Sequence, residues 1–313
     1  MSAKTWIGLL AILSIGIGSA SADVKVPAVF ADHMVLQRER PLKFWGWADP
    51  QETVEVRFGS ASAKATADAT GRWQLELAAM PANKTPQSLT IQGKNKIEIN
   101  DVLVGEVWVC SGQSNMEWSV AASMNPQVEI AAAKYPLIRH IKVPLVPSVV
   151  PLDNFQSSWQ VCSPETAAGF TAVGYFMARE ISAKLDVPVG LINSSWGGTR
   201  VEPWVPPVGF QGVEKLQGIY QSVLGRTPGT PAYTQRLTEH IESLEAWLAK
   251  AKSQKDRNQV LEASPNYPSE LVPFASHQDP SMLYNGMIHA IVGFPIRGAI
   301  WYQGESNHDE GMM

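Results

Sequence analysis

The chain has 313 residues, of which 45% are hydrophobic and 17% charged, and its formal net charge is −4. This composition supports a folded core in one large or two ordinary domains and excludes a disordered polymer. The small negative charge, without a run of Lys or Arg, gives no support to nucleic acid as a partner.

Residues 1–22 have the pattern of a secretory signal peptide. Lys4 supplies a positive start, residues 6–17 form a short apolar run, and Ala20-Ser21-Ala22 fits the small-residue rule for cleavage. The mature chain would begin at Asp23, in a secreted or periplasmic protein. The apolar run is too short to span a bilayer, and no later run approaches about 18–20 apolar residues, so we expect no membrane span.

Residues 23–100 are expected to form an N-terminal β domain. Short runs alternate apolar and polar residues, which is typical of half-buried antiparallel strands, and turn residues separate them. The spacing predicts a small sandwich-like domain without a catalytic pattern, which we interpret as a structural cap. The predicted strands are 26–30, 43–47, 53–58, 72–77 and 88–93.

The most informative stretch, Gly112-Gln113-Ser114-Asn115-Met116, follows a predicted buried strand at 102–110. A serine that leaves a strand through a glycine turn presents its hydroxyl at the end of a sheet. A base can reach it there, and backbone N–H groups can face a developing oxyanion. The pattern resembles a nucleophile elbow, although Met116 replaces the second glycine of G-x-S-x-G. By itself this spacing is also typical of an ordinary serine-glycine loop.

From residue 101 onward, strands alternate with helices, which predicts a parallel sheet. Helices are predicted over 128–135 and 170–185, and strands over 138–143 and 187–193. The apolar face of the second helix is predicted to contain Val173, Phe176, Met177, Ile181 and Leu185.

Two further apolar strands lead into polar loops that contain glycine. The strand at 187–193 precedes Trp196-Gly197-Gly198-Thr199, and a strand at 296–302 precedes Gln303-Gly304-Glu305-Ser306-Asn307. Because the carboxyl ends of parallel strands share one edge of a sheet, we expect the three loops to line one crevice.

Residues 206–280 interrupt this alternation and are predicted to be a helical insertion bounded by loops rich in Pro and Gly. Its main helix, at 234–258, has an apolar stripe that is expected to pack on the domain. A further helix is predicted over 281–292.

With these three blocks, the sequence resembles the sialate O-acetylesterase-like branch of the SGNH (GDSL-type) hydrolases. That branch carries a GQSNM block, a WGGT block and a later WYQGES block, and the resemblance extends from about residue 29 to the end. It implies an α/β fold over 101–313, with a flavodoxin-like parallel sheet and helices on both faces. It also implies removal of acetyl groups from sugars through an acyl-serine intermediate.

Ester hydrolysis needs a nucleophile, a base and an oxyanion site. Ser114 is the candidate nucleophile, and its N–H together with that of Gly197 or Gly198 would bind the oxyanion. By the resemblance, Gln303 would donate a third hydrogen bond. Glu305 is either part of the triad or a structural residue that ties the loops together. The residues predicted to contact the substrate are Gln113, Asn115, Trp196 and Asn307.

The catalytic histidine is expected beyond residue 313. In the resembled family it comes from an Asp-x-x-His block past the third motif, and this sequence ends soon after Asn307 without one. We therefore expect a C-terminally truncated chain with weak or no hydrolase activity. The histidines present are each expected to be packed or solvated: His33, His140, His240, His277, His289 and His308.

The expected partner is an acetylated sugar or polysaccharide, either a sialate ester or an acetylated xylan or xyloglucan. The alternative is a non-catalytic carbohydrate-binding protein on a degraded hydrolase scaffold. Among the 11 tryptophans, Trp118, Trp196 and Trp204 either line a sugar-binding cleft or pack in the core.

Neither a metal nor a cofactor is expected, because no cluster of His, Cys or carboxylates has ligand spacing and no glycine-rich phosphate cradle appears. The chain has two cysteines, Cys110 and Cys162. They either form a disulfide, which an oxidising compartment allows, or remain buried thiols.

Overall fold

The computed structural model describes residues 23–310. The predicted signal peptide at 1–22 lies outside the described residues. Within the described part, no helix is both long enough and apolar enough to cross a bilayer.

The first part of the chain folds into short strands. Their bounds are β1 (Val35–Gln37), β2 (Leu42–Trp47), β3 (Thr53–Phe58), β4 (Ala61–Thr66), β5 (Arg72–Leu77) and β6 (Asn83–Gln92). Strands β4, β3 and β6 form an antiparallel sheet, and β2 pairs with β5 in a second one. Buried side chains of the two sheets share one hydrophobic cluster, so this part is a small sandwich.

The second part alternates strands and helices. Its strands are β7 (Lys96–Gly112), β8 (Tyr135–Lys142), β9 (Gln160–Cys162), β10 (Val189–Ser195) and β11 (Gly298–Tyr302). Its helices are α1 (Ser114–Glu117), α2 (Pro126–Ala132), α3 (Ala172–Leu185), α4 (Pro207–Phe210), α5 (Gln217–Arg226) and α6 (Pro231–Asp256).

Strand β7 joins the two parts. It is 17 residues long, and its first half pairs antiparallel with β6. Its second half pairs in parallel with β10 on one side and β11 on the other. Because this single strand runs through residues 100 and 101, where we placed the domain boundary, no linker separates the sandwich from the α/β part.

The α/β sheet has the order β11, β7, β10, β8, and these strands are parallel to their neighbours, whereas β9 is antiparallel at the edge. The prediction of a mostly parallel α/β sheet is confirmed. Helix α3 covers one face over β10 and β8. The segment around Met287 lies on the other face, where its carbonyl accepts a hydrogen bond of 3.2 Å from the Ser194 hydroxyl.

Helix α3 is present, but its predicted packing face is confirmed only for Met177 and Ile181, which pack against the buried cluster. Val173 and Phe176 remain 36% and 37% exposed, and the buried residues of the helix are Ala172, Gly174, Tyr175 and Ala178. A Cβ atom on Gly174 would lie 2.9 Å from the Cys110 Sγ atom of β7. Small residues therefore let the helix approach the sheet closely, which an apolar period alone does not reveal.

Two other local predictions differ from the structure. Residues 26–30 form a turn rather than a strand, with the Phe30 N–H bonded to the Pro27 carbonyl at 2.9 Å. Proline supplies no donor to a β ladder, which favours the turn. The predicted helix at 281–292 contains a π-helix, Tyr284–Ile288, where the Val146 carbonyl approaches so closely that a Cβ on Gly286 would be 1.8 Å from its oxygen.

The insertion at 206–280 contains α4, α5 and α6. The apolar stripe of α6 packs only in part, because Ile241 and Leu248 are exposed, whereas His240 and Ala251 are the buried residues of the helix.

Cys110 and Cys162 are free buried thiols, so the disulfide alternative is not realised. Strands β10 and β8 lie between their strands in the sheet. Three steps of about 4.8 Å separate their two strands by roughly 14 Å, whereas a disulfide needs about 4.4–6.8 Å between Cα atoms. Burial raises the pKa of Cys110 to about 12 and that of Cys162 to about 11, which disfavours the reactive thiolate.

We therefore expect both thiols to be alkylated when the protein is denatured without reductant. Intact mass should increase by two iodoacetamide adducts, the same increase as in a reduced control. An adduct count that rises only after reduction would contradict the arrangement of the strands.

Candidate active site

Strand β7 ends in a turn at Gly112 that requires glycine. Its φ is +129°, and a Cβ atom here would lie 2.1 Å from the carbonyl oxygen of Tyr302. Gly112 is opposite both Ser195 of β10 and Tyr302 of β11. Its carbonyl accepts the Trp196 N–H at 3.0 Å, and the next N–H, of Gln113, donates to the Tyr302 carbonyl at 2.9 Å. The ends of the three strands therefore meet around this one residue.

Ser114 opens α1 immediately after this turn. It is exposed, while Gln113 before it and Met116 after it are buried. The Met116 carbonyl accepts a hydrogen bond of 2.7 Å from the Thr171 hydroxyl at the start of α3. Burial of Met116 thus fixes the position of the short helix, and Ser114 remains at the surface.

The side chain of Gln113 joins the first loop to the third. Its Oε1 atom accepts a hydrogen bond of 2.8 Å from Gln303 Nε2 and longer ones of 3.4 Å from the Gly304 and Ser306 N–H groups. Only 2% of Gln113 is exposed. The sequence predicts that Gln113 contacts the substrate; the structure places its side chain inside the protein, where its Oε1 atom bonds the third loop.

Gln303 belongs to the same network. Its Nε2 atom donates to Gln113 Oε1 and, at 2.7 Å, to the carbonyl of Thr199 in the second loop. Both amide hydrogens are therefore used. The third oxyanion donor that we assigned to Gln303 is engaged here in holding the second loop against the first.

The Gly197-Gly198 turn lies against Ser114. A Cβ atom on Gly197 would be 3.4 Å from the Ser114 Cβ atom. The Gly197 N–H already donates to Glu117 Oε2 at 2.7 Å, and Glu117 Oε1 lies 3.7 Å from Lys142 Nζ. Among the described residues, the N–H groups of Ser114 and Gly198 have no acceptor. These two N–H groups are therefore without a protein acceptor, whereas the Gly197 N–H is already bonded.

The remaining predicted site residues make hydrogen bonds between the loops. Asn115 Nδ2 donates to Glu305 Oε1 at 2.7 Å, which supports the structural alternative for Glu305. Asn307 is buried, its amide donates to both carboxylate oxygens of Glu202 at 3.1 Å, and its Oδ1 accepts the Val201 N–H at 3.0 Å. Asn307 was predicted to contact the substrate; here its side chain is fully used inside the protein.

Two of the three tryptophans near the site pack rather than line a cleft. Trp204 is buried, and its indole N–H donates to the Thr199 hydroxyl at 3.0 Å. Trp196 is half-buried and stacks on His277, with the ring centroids 4.6 Å apart.

Trp118 is different, because 54% of it is exposed. Together with the exposed Tyr302, and with Asn115, Ala172 and Val173, it lines a cleft of about 270 Å³ beside Ser114. This cleft offers two aromatic surfaces to a ligand next to the candidate nucleophile.

No histidine within residues 23–310 bonds the Ser114 hydroxyl. His140 is buried against the Phe170 ring, and burial lowers its pKa to about 3. His33 bonds Asp101 at 2.7 Å, but Asp101 lies about 35 Å of extended strand before Gly112.

Two residues of the site were not found from the sequence. Glu117 directly follows the GQSNM block, but nothing in its spacing reveals that it caps the Gly197 N–H. His277 lies in the insertion without a motif, and only the fold brings it to Trp196. No group of His, Cys, Asp or Glu in the described part is arranged to hold a metal ion.

Comparisons with known proteins agree with the three motifs. No family model matches the chain. It is 28% identical to the sialate O-acetylesterase of Mus musculus, over 93% of this chain and 53% of that protein, and 28% identical to that of Homo sapiens, over 92% and 50%. The solved structure of a carbohydrate acetylesterase from Xanthomonas citri matches with a TM-score of 0.68 and 33% identity, over 91% of this chain and 52% of that one.

The predicted resemblance to sialate O-acetylesterases is thus confirmed over nearly the whole chain. The chain spans about half the length of the curated relatives that it matches.

The buried hydrogen bond between Gln113 and Gln303 is expected to stabilise the folded protein. Gln113→Leu leaves the Gln303 amide without one of its buried acceptors, so we expect a loss of about 1–3 kcal/mol in the free energy of unfolding, measured by urea denaturation. The control is Asn115→Ala, which removes a less buried bond and should cost less than about 1 kcal/mol. Equal losses in the two variants would contradict the positioning role.

Proposed function

We propose that this chain carries the nucleophile and the oxyanion donors of an exported serine esterase that removes acetyl groups from sugars. The relatives are sialate O-acetylesterases and a carbohydrate acetylesterase, which supports a carbohydrate esterase. One observation carries the proposal. The exposed Ser114 lies against the double-glycine turn, with its own N–H and that of Gly198 free to bind an anion.

In the proposed reaction, Ser114 Oγ attacks the acetyl carbonyl carbon while its proton passes to a base. The negative charge that develops on the carbonyl oxygen is held by the N–H groups of Ser114 and Gly198. The bond from the acetyl carbon to the sugar oxygen then breaks, the sugar leaves with a proton, and water hydrolyses the acetyl-serine. Losing one such donor typically costs about 2.7–4 kcal/mol of transition-state stabilisation.

Glu117 has a positioning role in this proposal. By accepting the Gly197 N–H, its carboxylate fixes the turn that presents the Gly198 N–H. A carboxylate beside an oxyanion would oppose the developing charge, and Lys142 partly offsets this from 3.7 Å away.

The reaction also needs a group that accepts the Ser114 proton, and the described residues do not supply a histidine for this. Because no histidine of residues 23–310 bonds the Ser114 hydroxyl, we expect slow turnover by the 313-residue chain. This feature also favours the second candidate function, a non-catalytic protein that binds carbohydrate on the same scaffold.

The proposed substrate is an acetylated sugar, either a sialate ester or an acetylated plant polysaccharide. The exposed rings of Trp118 and Tyr302 support this class, because flat aromatic faces stack on pyranose rings. Export is supported by the signal-peptide pattern of residues 1–22, and the sandwich is proposed to be a structural cap because β7 runs through it.

The test compares hydrolysis of p-nitrophenyl acetate by the native chain, Ser114→Ala and a matched control, Ser119→Ala, five residues further on. We expect Ser114→Ala to reduce the rate to that of buffer, because the nucleophile is gone, and Ser119→Ala to keep the native rate. A Ser114→Ala rate equal to the native one would remove this serine from the mechanism. A native chain that binds acetylated sugars without any turnover would favour the second candidate function.

A further inference from the structure

The solvent-facing side of the β2–β5 sheet carries tryptophans where a polar surface is usual. Side chains alternate along both strands, and Phe44, Leu75 and Leu77 are buried in the sandwich. The opposite face presents three cross-strand pairs, in which Trp45 is opposite Gln74, Trp47 is opposite Arg72, and Lys43 is opposite Glu76. An antiparallel sheet with one buried face normally has polar residues on the other, so two half-buried tryptophans there need an explanation.

This face forms the floor of a cleft of about 810 Å³, roughly three times the volume of the cleft beside Ser114. The turn at 289–293 forms one side of it. Trp45 is held in place by the edge of the Phe30 ring, with the centroids 4.7 Å apart, and it packs against the buried core cluster. The indole ring is therefore fixed before any ligand arrives, which reduces the entropic cost of binding.

The polar groups of the cleft favour an uncharged ligand. Two cations, Lys43 and Arg72, stand among three carboxylates, Asp68, Glu76 and Asp153, so the lining is nearly balanced in charge. Lys43 lies 3.4 Å from Glu76, and Arg72 pairs with Asp153. A polyanion would need an excess of cations here. Paired charges and an exposed amide at Gln74 instead offer donors and acceptors to neutral hydroxyl groups.

The cleft is separate from the candidate active site. The turn at 289–293 precedes β11, and β11 runs five residues, about 16 Å, before it reaches Gly112 at the other end of the sheet. A ligand over the β2–β5 face would thus lie at the amino end of the parallel strands, while Ser114 lies at their carboxyl end.

We propose that the cleft over β2 and β5 is a second carbohydrate-binding site, which takes a stretch of a neutral polysaccharide chain. Trp45 and Trp47 stack on its sugar rings, and the surrounding polar pairs bind its hydroxyl groups. The site holds the protein on the polymer and does not require Ser114 or ester chemistry, so it goes beyond the proposed esterase function.

Affinity electrophoresis of the 313-residue chain tests this directly. Native gels would contain one of three neutral, chemically deacetylated polymers: xyloglucan, arabinoxylan or galactomannan. We expect at least one of them to retard both the native protein and Ser114→Ala, because the site is independent of the nucleophile. The double variant W45A/W47A should bind about tenfold or more weakly, the loss typical of removing anchoring aromatic residues.

Two further variants keep the test decisive if the double variant folds poorly. Gln74→Ala changes an exposed position of the same face and should weaken binding severalfold without loss of fold. Trp247→Ala removes a tryptophan of α6 and should be retarded like the native protein. Hydrolysis of p-nitrophenyl acetate by the same variants reports separately on the esterase proposal.

The proposal is overturned if none of the polymers retards the native protein, or if the Trp45, Trp47 and Gln74 variants are retarded as strongly as it is. A native dimer that W45A/W47A converts to a monomer would also overturn it, since the face would then bind a second copy of the chain.

Discussion

The left-handed turn at Gly112 is the constraint on which the site depends. Strand β7 lies between β10 and β11, and at its last residue the chain must leave the sheet without a steric clash with β11. A side chain there would overlap the Tyr302 carbonyl, so only glycine allows the strand to end in register with both neighbours. The same residue accepts the Trp196 N–H, and its successor donates to Tyr302. Two distant segments are therefore fixed relative to Ser114 by backbone bonds alone.

Side-chain amides then lock this arrangement. Gln113, Gln303 and Asn307 all lie in motifs that suggest catalysis or substrate contact, yet the side chain of each makes hydrogen bonds to another loop. The reason is physical. Loops at the end of a sheet have unpaired backbone groups, and long amides reach them when no ladder can. Among the described residues of this edge, Ser114, two N–H groups and the aromatic cleft remain open to a ligand.

Sequence patterns predicted most of the strands, the parallel sheet and the meeting of three loops at one edge. They failed where close packing decides the outcome. The exposed face of α3 follows from Gly174 lying on Cys110, and the π-helix follows from Gly286 lying under the Val146 carbonyl. The roles of Glu117 and of the tryptophans of β2 are not predicted from the sequence. Each role depends on a partner in a neighbouring loop or strand. A linear pattern does not contain that information.

The most direct test of the central claim is geometric and needs no activity. In S114C/G197C the two Cβ atoms would lie about 3.4 Å apart, close to the roughly 3.8 Å typical of a disulfide. We predict that mild oxidation links residues 114 and 197, detected by peptide mass spectrometry. The matched variant S114C/G198C should be linked to a smaller extent, because a Cβ at 198 would lie more than 4 Å from the side chain of residue 114. Free thiols at 114 and 197 after oxidation would contradict the convergence of the first two loops.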